Sequence, residues 1–109
     1  MHTLQPRLHD DSAIVLFGGQ AKERPYPGAT TVATVNAGVT GLVHSLAVEL
    51  APVRVNAVHP GLVATPIVQG SEDFVEAMRA ATPLGRVASA EEIASTVLFL
   101  AGDAASFVT

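Results

Sequence analysis

Ala13-Ile14-Val15-Leu16-Phe17 is an unbroken apolar run between the polar Asp10-Asp11-Ser12 and the pair Gly18-Gly19. Such a run, aliphatic and bounded by turn residues, predicts a strand covered on both faces. Residues 20 to 29 hold Lys22, Glu23, Arg24, Pro25, Pro27 and Gly28, and a stretch so broken by proline cannot be a helix interior. From Thr30 the apolar positions Val32, Val35, Val39, Leu42, Val43, Leu46 and Leu50 recur at three- and four-residue spacing, which predicts a helix over residues 30–50 capped by Thr30 or Thr31. On another face Ala33, Ala37 and Gly41 form a seam of small residues that would let a second helix approach, within one subunit or across a dimer. Pro52 closes this helix. Residues 53–58 alternate β-branched and polar side chains before Pro60-Gly61, so strand, helix and strand form a βαβ unit whose two strands run parallel.

Ligands of open parallel sheets bind beyond the carboxyl ends of the strands, where Gly18-Gly19 and Pro60-Gly61 are expected to meet. Val32 and Asn36, one turn apart at the start of the helix leaving that edge, should face the same crevice. Residues 71–78 predict a short helix with Glu72 and Asp73 in its first turn and Phe74 and Met78 on one side, either an ordinary surface helix or a lid over the crevice. Ser89 followed by Glu92 is a capping box for a helix from about Ala90 to Ala101, with Ile93, Val97 and Leu100 inward and Gly102 at its end.

Composition narrows the classes. Apolar residues make up 49% of the 109 and aromatics 5%, which suits buried strands and close helices. The six cations Arg7, Lys22, Arg24, Arg54, Arg79 and Arg86 form no stripe, and with a net charge of −4 nucleic acid is excluded as an expected partner. There is no cysteine, hence no disulfide and no thiol nucleophile, which is compatible with the cytoplasm. His2, His9, His44 and His59 lack metal-ligand spacing, so no metal is expected. No uninterrupted apolar run approaches the roughly 18 residues of a membrane span, and no membrane partner is expected.

The segment from Asn36 to Pro52, followed by Val53-Arg54-Val55-Asn56-Ala57-Val58-His59-Pro60-Gly61, resembles the carboxyl-terminal half of the short-chain dehydrogenase/reductase family. Thr82-Pro83-Leu84-Gly85-Arg86, Glu91-Glu92-Ile93-Ala94 and the run from Phe99 to Thr109 resemble the family's later segments in the same order. The resemblance implies an α/β fold: a partial Rossmann-like, doubly wound parallel sheet of two to three strands and three to four helices. Residues 1–109 would then be one incomplete domain without the glycine-rich, amino-terminal dinucleotide-binding half, Met1 falling where the family is already inside a helix. The cofactor implied is NAD or NADP, lying along Pro60, Gly61, Val63 and Thr65 with Asn36 beside its ribose, although the chain by itself lacks half of what holds one.

The family's reactive set is a serine after the first of these strands, a tyrosine about a dozen residues on, and a lysine one helical turn beyond. Those slots hold Gly19, Val32 and Asn36. A phenol with a reference pKa of about 10 needs a neighbouring cation to move a proton near neutrality, and valine has no proton to move. The expectation is therefore an oxidoreductase-like protein or fragment with a degenerate site, inactive or nearly so. The alternatives are a catalytically silent homologue that binds a ligand or pairs through the helix over residues 30–50, and a fragment without autonomous function. His59 could donate a proton but more simply serves the loop structurally. Tyr26 and Lys22 read as surface loop residues unless the loop folds over the crevice.

Overall fold

A computed structural model describes residues 3–109. The expectation about Met1, and His2, lie outside these residues. The regular elements are β1 (Ala13–Phe17), α1 (Thr30–Glu49), β2 (Arg54–Val58), α2 (Glu72–Ala81) and α3 (Ala90–Ala101), with single 3-10 turns at Gln5–Arg7, Gln20–Lys22, Pro66–Val68 and Asp103–Ala105. The two strands form a parallel ladder in the register Ala13 to Arg54 through Phe17 to Val58, as the βαβ reading requires. β2 starts one residue later than expected because the N–H of Val53 turns back onto the carbonyl of Leu50, 2.9 Å away.

Leu46, Leu50, Val53 and Val55 form the core, with Leu8, Ile14, Leu16, Val43 and Ala47 packed against it. Val55 is wholly enclosed; a valine so buried contributes roughly 1.5–3 kcal/mol. The sheet is less covered than expected. Ala13 to Leu16 are only half-buried and Phe17 is exposed, since two strands with α1 and α3 laid against them cannot close both faces.

α1 departs from its expected cap. Ala29 occupies the N-cap position without a side-chain hydrogen bond. A turn from the Ala29 N–H to the Tyr26 carbonyl buries Ala29 and launches the helix one residue before Thr30. Thr30 is thus already helical and accepts at its carbonyl from Thr34 Oγ1, at 2.9 Å. The apolar positions do not form one buried face either. Leu46 and Leu50 are buried, whereas Val32, Val35 and Leu42 are about half exposed and Val48 is 80% exposed. Among the described residues nothing packs on the seam at Gly41, where a Cβ would meet no atom within 4 Å. By length and composition α1 would also pass for a membrane span, with a mean hydropathy of 1.3, a property it shares with core helices of α/β folds.

α2 extends to Ala81, three residues past its expected end, with Arg79 in its last turn bonded to Glu76 at 2.7 Å. α3 runs from Ala90 to Ala101 behind a complete capping box: Glu92 N–H donates to Ser89 Oγ (3.2 Å) and Ser89 N–H to Glu92 Oε2 (2.8 Å). Arg54 ties β2 to the carboxyl end of α3, its guanidinium donating to the carbonyls of Leu100 (2.8 Å) and Gly102 (3.0 Å). The last residues lie along β2, where Val55 N–H donates to Thr109 Oγ1 and the Asn56 amide to the Val108 carbonyl.

Candidate functional site

The carboxyl ends of β1 and β2 meet as expected. Gly18 N–H donates to the Val58 carbonyl at 3.0 Å and Gln20 N–H to the Pro60 carbonyl at 3.2 Å, and Gln20 Nε2 donates to the His59 carbonyl at 2.8 Å. The two loops therefore leave the sheet locked together. α1 departs from this edge and aims its first turns back at it. Asn36 is 8% exposed, and its amide lies so close to Gly19 that a Cβ there would be 2.9 Å from Nδ2.

Beyond the strands opens a cavity of about 690 Å³. Gly19, Val32, Asn36, Pro60 and Gly61 all line it, so five sequence-selected positions share one wall. Val63 and Thr65 do not line it. Val63 instead bridges in parallel to Ala88, flanked by Ala64 N–H to the Ala88 carbonyl (2.9 Å) and Ala88 N–H to the Leu62 carbonyl (3.1 Å). Thr65 caps the 3-10 turn over residues 66–68. This backbone pairing carries the two side chains along a different course from the Pro60-Gly61 turn.

The opposite wall comes largely from residues that the sequence did not single out for the site, Phe74 and Met78 of the anticipated lid excepted. Ile67, Val68 and Leu62 belong to the loop after β2, while Phe74, Met78 and Ala81 come from α2. Of the two roles open to α2, the one over the crevice is the one it occupies. Tyr26 and Arg24 arrive from the loop after β1, and Tyr26 meets Phe74 edge to face with ring centroids 5.3 Å apart. Tyr26 is 38% exposed, as expected of a surface loop residue, and it also lines the cavity, its loop closed by the turn from the Ala29 N–H to the Tyr26 carbonyl. Lys22 stays outside the lining, paired to Glu23 at 2.9 Å. That contact holds the Glu23 carboxyl below its ordinary range.

His59 does not line the cavity. Its ring packs on Gly18, where an added Cβ would collide with the imidazole, and its Nδ1 is buried without a partner among the described residues. Nε2 lies 3.5 Å from Thr40 Oγ1. On the far side of Gly61 and Leu62 a smaller cavity of about 190 Å³ reaches Arg86 and Glu92. There the Arg86 guanidinium and the Ser89 N–H lower the Glu92 carboxyl to a pKa of about 2.

Residues 1–109 match the family model described as Enoyl-(Acyl carrier protein) reductase. The chain is 46% identical over 100 residues to cis-4-hydroxycyclohexanecarboxylate dehydrogenase of Sinomonas cyclohexanicum, covering 89% of this chain and 38% of that protein. It is 40% identical over 106 residues to 3-oxoacyl-[acyl-carrier-protein] reductase of Aquifex aeolicus, covering 94% of this chain and 40% of that protein. Among solved structures, a short-chain dehydrogenase/reductase from Brucella melitensis superposes with a TM-score of 0.88 at 35% identity, over 95% of this chain and 43% of that one. The chain therefore spans less than half the length of these relatives. With a match over its full length, the chain belongs to the short-chain dehydrogenase/reductase family.

Proposed function

We propose that this chain forms the carboxyl-terminal part of a family fold in which an NAD(P)-dependent oxidoreductase site has become degenerate, its serine, tyrosine and lysine positions held by Gly19, Val32 and Asn36. The observation carrying this reading is that these three positions line one cavity together with Pro60 and Gly61.

The residues present fit the nicotinamide end of a dinucleotide. Gly61 is exposed with nothing within 4 Å of where a Cβ would lie, leaving the backbone open to close approach. The Asn36 amide offers both a donor and an acceptor for a ribose hydroxyl. When bound, the cofactor supplies hydride chemistry. In the presence of the cofactor, Val32 and Pro60 would wall the nicotinamide and Asn36 would hydrogen-bond the ribose. Val32 neither gives nor takes a proton, and the neutral Asn36 amide cannot replace a cation that stabilises a phenolate. Loss of a positioned general acid costs about 10²- to 10⁴-fold.

The test is to titrate the intact protein with NADH and NADPH by nicotinamide fluorescence and to assay ketone reduction. Saturable binding with negligible turnover is expected, and G19S/V32Y/N36K should raise turnover by about 10²-fold or more. Absence of any dinucleotide binding overturns the reading.

A second reading, a silent partner that pairs through α1, is supported by the open Gly41 seam flanked by exposed Val35, Leu42 and Val48. Cytoplasmic residence, with neither nucleic acid nor membrane as partner, goes with both readings and is supported by the absence of cysteine and of a basic stripe.

A further inference from the structure

Of the described residues, Arg24 is the only one with a charged side chain that lines the 690 Å³ cavity. Among the described residues it has no ion pair and no hydrogen bond from its guanidinium, whereas Lys22, Arg79 and Arg86 are each paired to a glutamate and Arg54 is bound to backbone carbonyls. The rest of the lining is largely apolar and aromatic, with Ile67, Val68 and Met78 and the edge-to-face pair of Tyr26 and Phe74. The volume lies within the range of about 300–1,000 Å³ of small-molecule sites, and an apolar lining with one convergent charged group is how such sites fix a ligand's orientation. A guanidinium's planar fork matches a carboxylate, and a dianion would find no second cation in this lining.

We propose that the cavity takes a small alicyclic or aromatic monocarboxylate, its ring against Tyr26 and Phe74 and its carboxylate on Arg24. The assignment rests on the oxidoreductase reading above and names a substrate class for it. It also gives a role to the loop between β1 and α1, whose Tyr26 forms one side of the ring site.

Tyr26 is the only tyrosine of these 109 residues and they hold no tryptophan, so their own emission reports this cavity; calorimetry, which needs no particular fluorophore, reads the same binding in parallel. The experiment titrates the intact protein with cyclohexanecarboxylate and with its neutral match, cyclohexanecarboxamide, neither of which absorbs at the tyrosine wavelengths. Cyclohexanecarboxylate is expected to change the emission saturably and to bind about 10-fold more tightly than the amide, a difference of about 1.4 kcal/mol. Arg24→Gln should remove that preference and Arg24→Lys should retain part of it. Equal binding of acid and amide, or no saturable change, overturns the proposal without any variant being needed. NADH is titrated in parallel by its own fluorescence. If Arg24→Gln weakens NADH and the acid shows no preference, Arg24 serves the dinucleotide's phosphates and the proposal falls. If the acid binds with the stated preference while NADH does not bind at all, the oxidoreductase reading falls and the anion site stands.

Discussion

Gly18→Ala tests how tightly the two strand ends are locked. The added methyl would run into the edge of the His59 imidazole. The backbone cannot readily yield, because Gly18 N–H is bonded to the Val58 carbonyl, and the ring is confined with its Nδ1 buried. Overpacking of this kind costs about 1–3 kcal/mol. Gly18 does not have a positive φ, so alanine also restricts the unfolded chain, a gain of roughly 0.4–1 kcal/mol. Packing wins, and a net loss near 1.5 kcal/mol corresponds to a fall in Tm of about 6–12 °C for a chain of this size. In a His59→Ala background the obstacle is gone, and the same change should be neutral or stabilising. Urea unfolding followed by far-UV circular dichroism on the four proteins of the cycle gives the coupling directly. If Gly18→Ala costs the same in both backgrounds within about 0.5 kcal/mol, the proposed contact does not limit the site. His59→Ala should leave ligand binding intact, since the ring is outside the cavity lining.

Ser89→Ala should cost about 1 kcal/mol by leaving an N–H of the first turn of α3 without its acceptor, read as a lower urea midpoint. The Glu92 carboxyl is lowered from 4.5 to about 2 in the folded state, so its contribution is full above the unfolded value and is lost as pH falls from about 4.5 to about 2; Glu92→Gln should flatten the urea midpoint across that window and leave its slope elsewhere unchanged. Arg54→Met should cost about 1.5–3 kcal/mol, because two carbonyls at the end of α3 lose a charged donor; an unchanged midpoint would show that water substitutes there. Gly41→Leu should lower the sedimentation coefficient of any dimer formed through α1 to that of a monomer, and an unaltered distribution would remove the seam from consideration.

The fold was legible where local chemistry and packing agree. The apolar run of β1, the alternation of β2 and the Ser89-Glu92 box each fix their own element, and the structure forms all three, although β1 is less covered than read and β2 starts one residue later. The cap of α1 was misread because a turn closed by Ala29 and Tyr26 outcompetes a threonine oxygen, and no residue type announces such a turn. Burial along α1 was overestimated for a related reason: periodicity identifies which positions are apolar, but the number of partners a sheet of two strands can offer is a tertiary fact. At the site, Gly19, Val32, Asn36, Pro60 and Gly61 could be brought together from the βαβ topology alone. Arg24 and Ile67 could not, since they sit on loops whose approach to the cavity is set by long-range packing, and for the same reason the sequence leaves Tyr26 and Phe74 between a surface and a crevice role. Val63 and Thr65 were placed by resemblance; Val63 bridges to Ala88 and neither lines this cavity.

The close approach of the Asn36 amide to Gly19 also bears on how this sequence can change. The space that a side chain at position 19 would fill is already claimed, 2.9 Å from the amide nitrogen. A hydroxyl-bearing residue there becomes affordable only after position 36 has been altered or its amide swung aside. Positions 19 and 36 are therefore coupled: what either can hold depends on the side chain, and the rotamer, at the other.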